Sequence, residues 1–171
     1  MMKRSMAAYI PRFSSHRMLK QYVEQFYLPA VGSAAALSAK RFSGAKALSA
    51  WRQKVAGSWD KINVVSLMSD RDADLHVGDS LTFTAEVKLG GLSPDDVIVD
   101  LKTGLLNSLG EIEEGDYTTM VAASSTSDET QTYTATVDSQ RSGRIGATVR
   151  ILPHNASLPH KYAVFRAKWA G

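Results

Sequence analysis

The chain has 171 residues and a net charge of +3, with 44% hydrophobic and 22% charged residues. That composition supports a packed core and excludes wholesale disorder, and no apolar run is long enough for a membrane-spanning helix. Cysteine is absent, which excludes disulfide frameworks, zinc-thiolate sites, iron–sulfur clusters and thiol nucleophiles together.

The net charge hides an asymmetry. Residues 1–62 hold eleven Lys/Arg against Glu24 and Asp60, a balance of +9, and residues 63–171 carry −6. A basic arm can meet nucleic acid, an anionic membrane or an import receptor, and residues 1–23, which lack any acid, have the composition of a transit peptide. A solvated helix face accounts for the same charges more simply. A secretory signal is excluded, because the short apolar stretch after Lys3 and Arg4 is broken by Pro11 and Arg12.

In chain order, Met2, Met6 and Tyr9 or Ile10 predict a short helix over 1–10 that Pro11 stops, since proline lacks the amide proton and clashes with the preceding turn. A second helix is predicted over 14–28. Ser14 or Ser15 would cap it, Pro29 would end it, and Met18, Leu19, Tyr22, Val23, Phe26 and Tyr27 would form its apolar stripe. That stripe is too broad for a lone surface helix and calls for something to lie against. Residues 30–47, rich in Ala, Ser and Gly, read as helix or linker. A better helix follows over 45–57, with Leu48, Trp51, Val55 and Trp59 at steps of three and four and Gly57 at its end.

From about residue 61 the period changes to two. Seven candidate strands follow: INVVSLM, SLTFTAEVKL, DVIVDLK, DYTTMVAAS, TQTYTATVD, RIGATVRIL and YAVFRAK. Alternation is clearest where Leu81, Phe83, Ala85, Val87 and Leu89 share one side. Turn signals stand at His76–Asp79, Gly90-Gly91, Ser93–Asp96, Glu113–Asp116, Ser127–Glu129 and Ser142-Gly143. The expected fold is α+β: a helical segment over 1–60, then an antiparallel, immunoglobulin-like β-sandwich over 61–171. One-sided strands argue against a buried parallel sheet, and no fixed-period repeat is present.

No pattern of catalytic residues emerges. Asp70, Asp72 and Asp74 match positions 1, 3 and 5 of a calcium loop, but Leu75 and Leu81 stand where glycine and a bidentate acid are needed. A solvated acidic turn explains them better. His16, His76, His154 and His160 show no ligand spacing, and no nucleophile elbow, P-loop or dinucleotide fingerprint exists. The sequon Asn155-Ala156-Ser157 carries no weight without a secretory signal. Glu111, Glu113, Glu114 and Asp116 could pair for glycoside chemistry, but their stretch reads as a solvated turn. Trp51, Trp59, Trp169, Tyr117, Tyr133 and Tyr162 could stack on sugar rings, though helical and alternating positions assign most of them to a core.

Two stretches carry a resemblance. The first, SMAAYIPRFSSHRMLKQYVEQFYLPA, contains F-S-x-x-R-M-x-x-x-Y-x-x-x-F-Y-x-P-A from Phe13 to Ala30; the second comprises VGDSLTFTAEVKLGGLSPDDVIVDL and SGRIGATVRILPHNASLPH with the closing Trp169-Ala170. Together they resemble the carboxy-terminal end of bacterial α-glucan phosphorylases of the glycogen/maltodextrin type. The resemblance implies a parent glycosyltransferase that uses inorganic phosphate to release glucose 1-phosphate, with pyridoxal phosphate on a lysine. It implies a cytoplasmic setting and, as partner, the remainder of a phosphorylase, covalent or as a separate chain. The glycine-rich segment with the family's cofactor lysine has no counterpart here. No catalytic, cofactor or metal residue can therefore be assigned, and the expectation is a non-catalytic tail whose Met1 is an internal methionine of the parent. A stand-alone carbohydrate-binding or assembly module is the alternative.

Overall fold

The structure is a computed structural model that describes residues 2–70, 78–125, 130–138 and 144–170. It divides into two compact units, Met1–Ser49 and Ala50–Gly171.

The first unit is helical. Helix α1 spans Met2–Phe13 and contains Pro11, so the proline does not stop it; the break comes three residues later, where Ser14 takes an extended conformation and its side chain accepts from Arg17 N. In the last turn the proline still deletes one amide-to-carbonyl bond, and the helix ends two residues after it. Helix α2 covers Ser15–Tyr22. Pro29 also fails to end a helix. A π-helical turn, Val23–Tyr27, precedes it, and α3 then runs Leu28–Ser58. Tyr22, Val23 and Leu28 all keep helical dihedrals, so Pro29 lies inside a continuous helix, directly after the π-turn that loosens the bond ladder ahead of it. The Ala/Ser/Gly stretch is helical but broken: Ala39 is extended, and Lys40, Arg41 and Phe42 have φ of 48°, 56° and 63°. No described residue of this unit is buried; Met18, Leu19, Tyr22, Phe26 and Tyr27 are all exposed.

The second unit begins inside α3. Its last turns carry Trp51 and Val55, and the following 3-10 turn, Trp59–Lys61, carries Trp59; all three are buried, as their four-residue spacing predicts. Eight strands follow: β1 Asn63–Ser69, β2 Ser80–Lys88, β3 Val97–Leu106, β4 Ile112–Thr119, β5 Val121–Ser125, β6 Thr130–Asp138, β7 Ile145–Pro153 and β8 Lys168–Trp169. They form two four-stranded antiparallel sheets, ordered β1-β2-β6-β5 and β4-β3-β7-β8. The α+β class is therefore present. Most of the buried apolar side chains come from one parity of each central strand: Leu81, Phe83, Ala85 and Val87 of β2, Val97, Val99 and Leu101 of β3, Tyr133 and Ala135 of β6, Val149 and Ile151 of β7; Leu152 of β7, with the polar Asp100 and Arg150, is buried on the opposite parity.

Three expectations for this part change. DYTTMVAAS is two strands meeting at Met120, whose backbone N–H bonds Val99 O at 2.8 Å. Glu113–Asp116 lies within β4 and is no turn. The turn falls earlier, where the Asn107 side chain accepts from Leu109 N and Glu111 N and Gly110 takes φ +79°. YAVFRAK is a pair of turns, closed by Ala163 N to His160 O and Phe165 N to Tyr162 O, with Phe165 at φ +54°; only Lys168–Trp169 pairs with β7. The turn signal at Ser127–Glu129, the one at Ser142-Gly143 and the first half of His76–Asp79 lie outside the described residues.

Candidate functional site

Strand parity decides which polar residues share a face. Val97, Val99 and Leu101 point into the core, so Asp100 and Lys102 point out the other side of β3. Register then sets Asp100 opposite both Thr119 and Arg150, and Arg150 opposite Trp169; one row along, Lys102 stands between Tyr117 and Thr148. A third row is glycine throughout, Gly115–Gly104–Gly146, and a Cβ on Gly104 would lie 2.2 Å from Glu114 O. The side chains of Ile112 and Leu106 occupy the space those glycines leave.

Asp100 and Arg150 form the centre of this face. The Asp100 carboxylate accepts from Arg150 Nη2 at 2.8 Å, Thr119 Oγ1 at 2.9 Å and Lys161 Nζ at 3.3 Å. Its side chain is 1% exposed and that of Arg150 is 9% exposed. Burial alone would raise the Asp100 pKa, but the bonds from Arg150, Thr119 and Lys161 hold it below the ordinary carboxylate value. Three rings gather on the guanidinium: its carbon lies 3.9 Å from the centroid of Tyr117 and 5.6 Å from those of Tyr162 and Trp169. Tyr117 and Trp169 also face each other at 6.5 Å. Half of the six aromatics considered for stacking thus converge at one place. The other three, Trp51, Trp59 and Tyr133, are core.

A second polar node sits where the end of α3 meets the sheets. Ser93 caps the 3-10 turn Pro94–Asp96, donating to Asp96 Oδ2 from its backbone and its hydroxyl, both at 2.9 Å. Lys54 Nζ donates to the same oxygen at 2.7 Å, and Trp51 Nε1 donates to Oδ1 at 2.8 Å. Burial pushes the Asp96 pKa up, but the Lys54 ammonium, the Ser93 bonds and the indole outweigh it and bring the group down to about 2. A depressed carboxylate stabilises the fold fully above its unfolded pKa of 3.8 and stops doing so as pH falls through about 2. The unfolding free energy from urea titrations is therefore expected to be flat above pH 5 and to fall between about pH 4 and 2, by about 2 kcal/mol from Asp96. In Asp96→Asn that part of the acid dependence should vanish; an unchanged acid limb would count against the assignment.

The remaining residues singled out from sequence do not assemble. Glu114 and Asp116 line a cleft of about 470 Å³ together with Leu81, Phe83, Asp138 and Ile145, while Glu111 is exposed on the loop before β4. His16, His154 and His160 are exposed and separate; His160 Nδ1 accepts from Tyr162 N. His76, Asp72 and Asp74 lie outside the described residues, and Asp70 accepts from Thr82 N at 3.1 Å. Asn155 accepts from Ser157 N in a local turn. Among the described residues no three potential ligands cluster for a metal ion, and no helix is long and apolar enough to cross a membrane. Sequence reasoning missed Asp100, Arg150 and Lys161. The signal was present as charged residues of outward parity in DVIVDLK and RIGATVRIL, but their pairing depends on register.

These features define a β-rich module, joined to a helical segment, that presents an aromatic face held by a buried ion pair. Residues 59–171 match the profile of the glycogen phosphorylase C-terminal domain, and the chain belongs to that family. It is 30% identical to the maltodextrin phosphorylase of Thermococcus litoralis over 176 residues, covering 100% of this chain and 20% of that protein. It is 32% identical to the glycogen phosphorylase of Mycobacterium bovis and 31% to that of Mycobacterium tuberculosis H37Rv, in each case over 150 residues, 86% of this chain and 17% of the relative. The chain therefore spans about a fifth of the length of the curated relatives it matches, and as a C-terminal region.

Proposed function

We propose that this chain is a non-catalytic module of an α-1,4-glucan phosphorylase, working against the remainder of such an enzyme in the cytoplasm. The parent reaction is phosphorolysis of glucan to glucose 1-phosphate, with pyridoxal phosphate in the parent body. The observation that carries this is the first unit: none of its described residues is buried, although Met18, Leu19, Tyr22, Phe26 and Tyr27 form a broad apolar surface. An apolar patch of this kind marks an interaction site. The strand order β1-β2-β6-β5 with β4-β3-β7-β8 favours an immunoglobulin-like sandwich, since it reads as strands A-B-E-D on one sheet and C-F-G, with one added edge strand, on the other.

Among the described residues, neither of two clefts fits pyridoxal phosphate. The 470 Å³ cleft is walled by Glu114, Asp116 and Asp138, which would repel a phosphate. Lys102, which lines the other cavity, donates its ammonium to Ile112 O at 3.1 Å, while Lys54 and Lys161 are paired with Asp96 and Asp100. No catalytic step is assigned to any of them. Incubated with maltodextrin, inorganic phosphate and added cofactor, the purified chain is expected to release no glucose 1-phosphate; turnover above the protein-free control would overturn the reading.

A further inference from the structure

The outer face of the β4-β3-β7-β8 sheet carries rings that the chain itself leaves half open. Tyr117 is 43% exposed, Tyr162 48% and Trp169 44%, yet each is fixed on the Arg150 guanidinium, which Asp100 fixes in turn. Exposed side chains ordinarily lose rotamer freedom when they bind something; contact with a guanidinium that is itself ion-paired reduces that loss, which favours association. Beside Trp169 the same face opens a groove of about 520 Å³ lined by Lys102, Leu106, Ile112, Gly146 and Thr148. Its size suits a small-molecule or oligomer subsite, and it sets an ammonium and a hydroxyl next to an aromatic wall.

That mixture selects a chemistry. A pyranose has an apolar C–H face, which stacks on an aromatic ring, and a rim of hydroxyls, which needs scattered donors and acceptors. A nucleotide's base also stacks, but its phosphates need free cations, and the Lys102 ammonium of this groove already donates to Ile112 O at 3.1 Å. Here Arg150 and Lys161 are committed to Asp100, and residues 63–171 carry a net negative charge.

We propose that this face binds an α-1,4-glucan chain, one sugar ring stacked on Trp169, a neighbouring one against Tyr162 or over the groove. Tyr117 packs on Arg150 at 3.9 Å and is tilted against Trp169 at 6.5 Å. The choice of an α-glucan among polysaccharides rests on the phosphorylase reading above.

The test is affinity electrophoresis of the whole chain through native gels with and without glycogen. Glycogen is expected to retard it, and maltoheptaose in the gel to relieve the retardation. Trp169→Ala and Tyr162→Ala are each expected to weaken apparent binding about tenfold, a loss of 1.4 kcal/mol. Phe165→Ala, whose ring is 90% exposed outside the cluster, should leave it unchanged. Urea unfolding establishes that each variant is folded; if one is not, the other carries the test. Equal mobility with and without glycogen, wild-type retardation in a folded Trp169→Ala or Tyr162→Ala chain, or equal competition by cellohexaose would overturn the proposal. None of these outcomes touches the phosphorylase reading, which turns on the first unit and on the lack of turnover.

Discussion

Asp100→Ala is expected to destabilise the second unit by about 3–5 kcal/mol. The reason is what the substitution leaves behind. The Arg150 side chain is 9% exposed, and its charge-assisted bond runs to Asp100 Oδ2 at 2.8 Å. Without the carboxylate a guanidinium stays buried with no counter-charge, Thr119 loses its acceptor, and Lys161, at 38% exposure, turns to water. Removing both charges is a different experiment. Asp100→Leu combined with Arg150→Met takes away the desolvation cost along with the attraction, and it should recover most of the loss. Urea unfolding of the three chains at pH 7 provides the check. A loss below about 1 kcal/mol in Asp100→Ala would mean that the pair is solvated, as surface pairs are.

Trp51→Ala is expected to cost about 3–5 kcal/mol, the range for emptying a core site of an aromatic. The indole is buried at the end of α3, with Val55 and Trp59 following at helical steps, so its loss opens a cavity under the last turns of that helix. It also removes one donor from Asp96, which keeps Lys54 and the two Ser93 bonds. Trp51→Phe separates the contributions: it retains most of the volume and loses the indole N–H. It should cost about 1–3 kcal/mol, the penalty for a buried acceptor deprived of a partner. If both variants unfold at the wild-type urea midpoint, Trp51 does not anchor the helix.

Much of this could be read from residue order because it rests on local periodicity. Period-two alternation from Leu81 to Leu89 exposes the core parity of β2 directly, and helical spacing exposes Trp51, Val55 and Trp59. Proline was misleading at both positions. Pro11 and Pro29 were expected to end helices, but α1 runs two residues past Pro11, and the π-turn Val23–Tyr27 ahead of Pro29 lets the helix continue through it. Glu113–Asp116 looked like a turn from composition alone, although the Asn107 side chain and Gly110 build the turn a few residues earlier. The candidate site was half legible. Tyr117, Tyr162 and Trp169 stood out as ring faces, whereas the Asp100–Arg150 pair that gathers them depends on a register between strands 50 residues apart. Long-range pairing of that kind leaves no mark in either strand alone.

The central claim is that the apolar surface of the first unit belongs against a phosphorylase body. Hydroxyl-radical footprinting tests it most directly, applied to the chain alone and after mixing with maltodextrin phosphorylase truncated before its matched C-terminal fifth. Met18, Tyr22, Phe26 and Tyr27, at 45–59% exposure, should be oxidised rapidly in the free chain and protected in the mixture. Slow oxidation of these side chains in the free chain, or equal oxidation with and without the body, would contradict it.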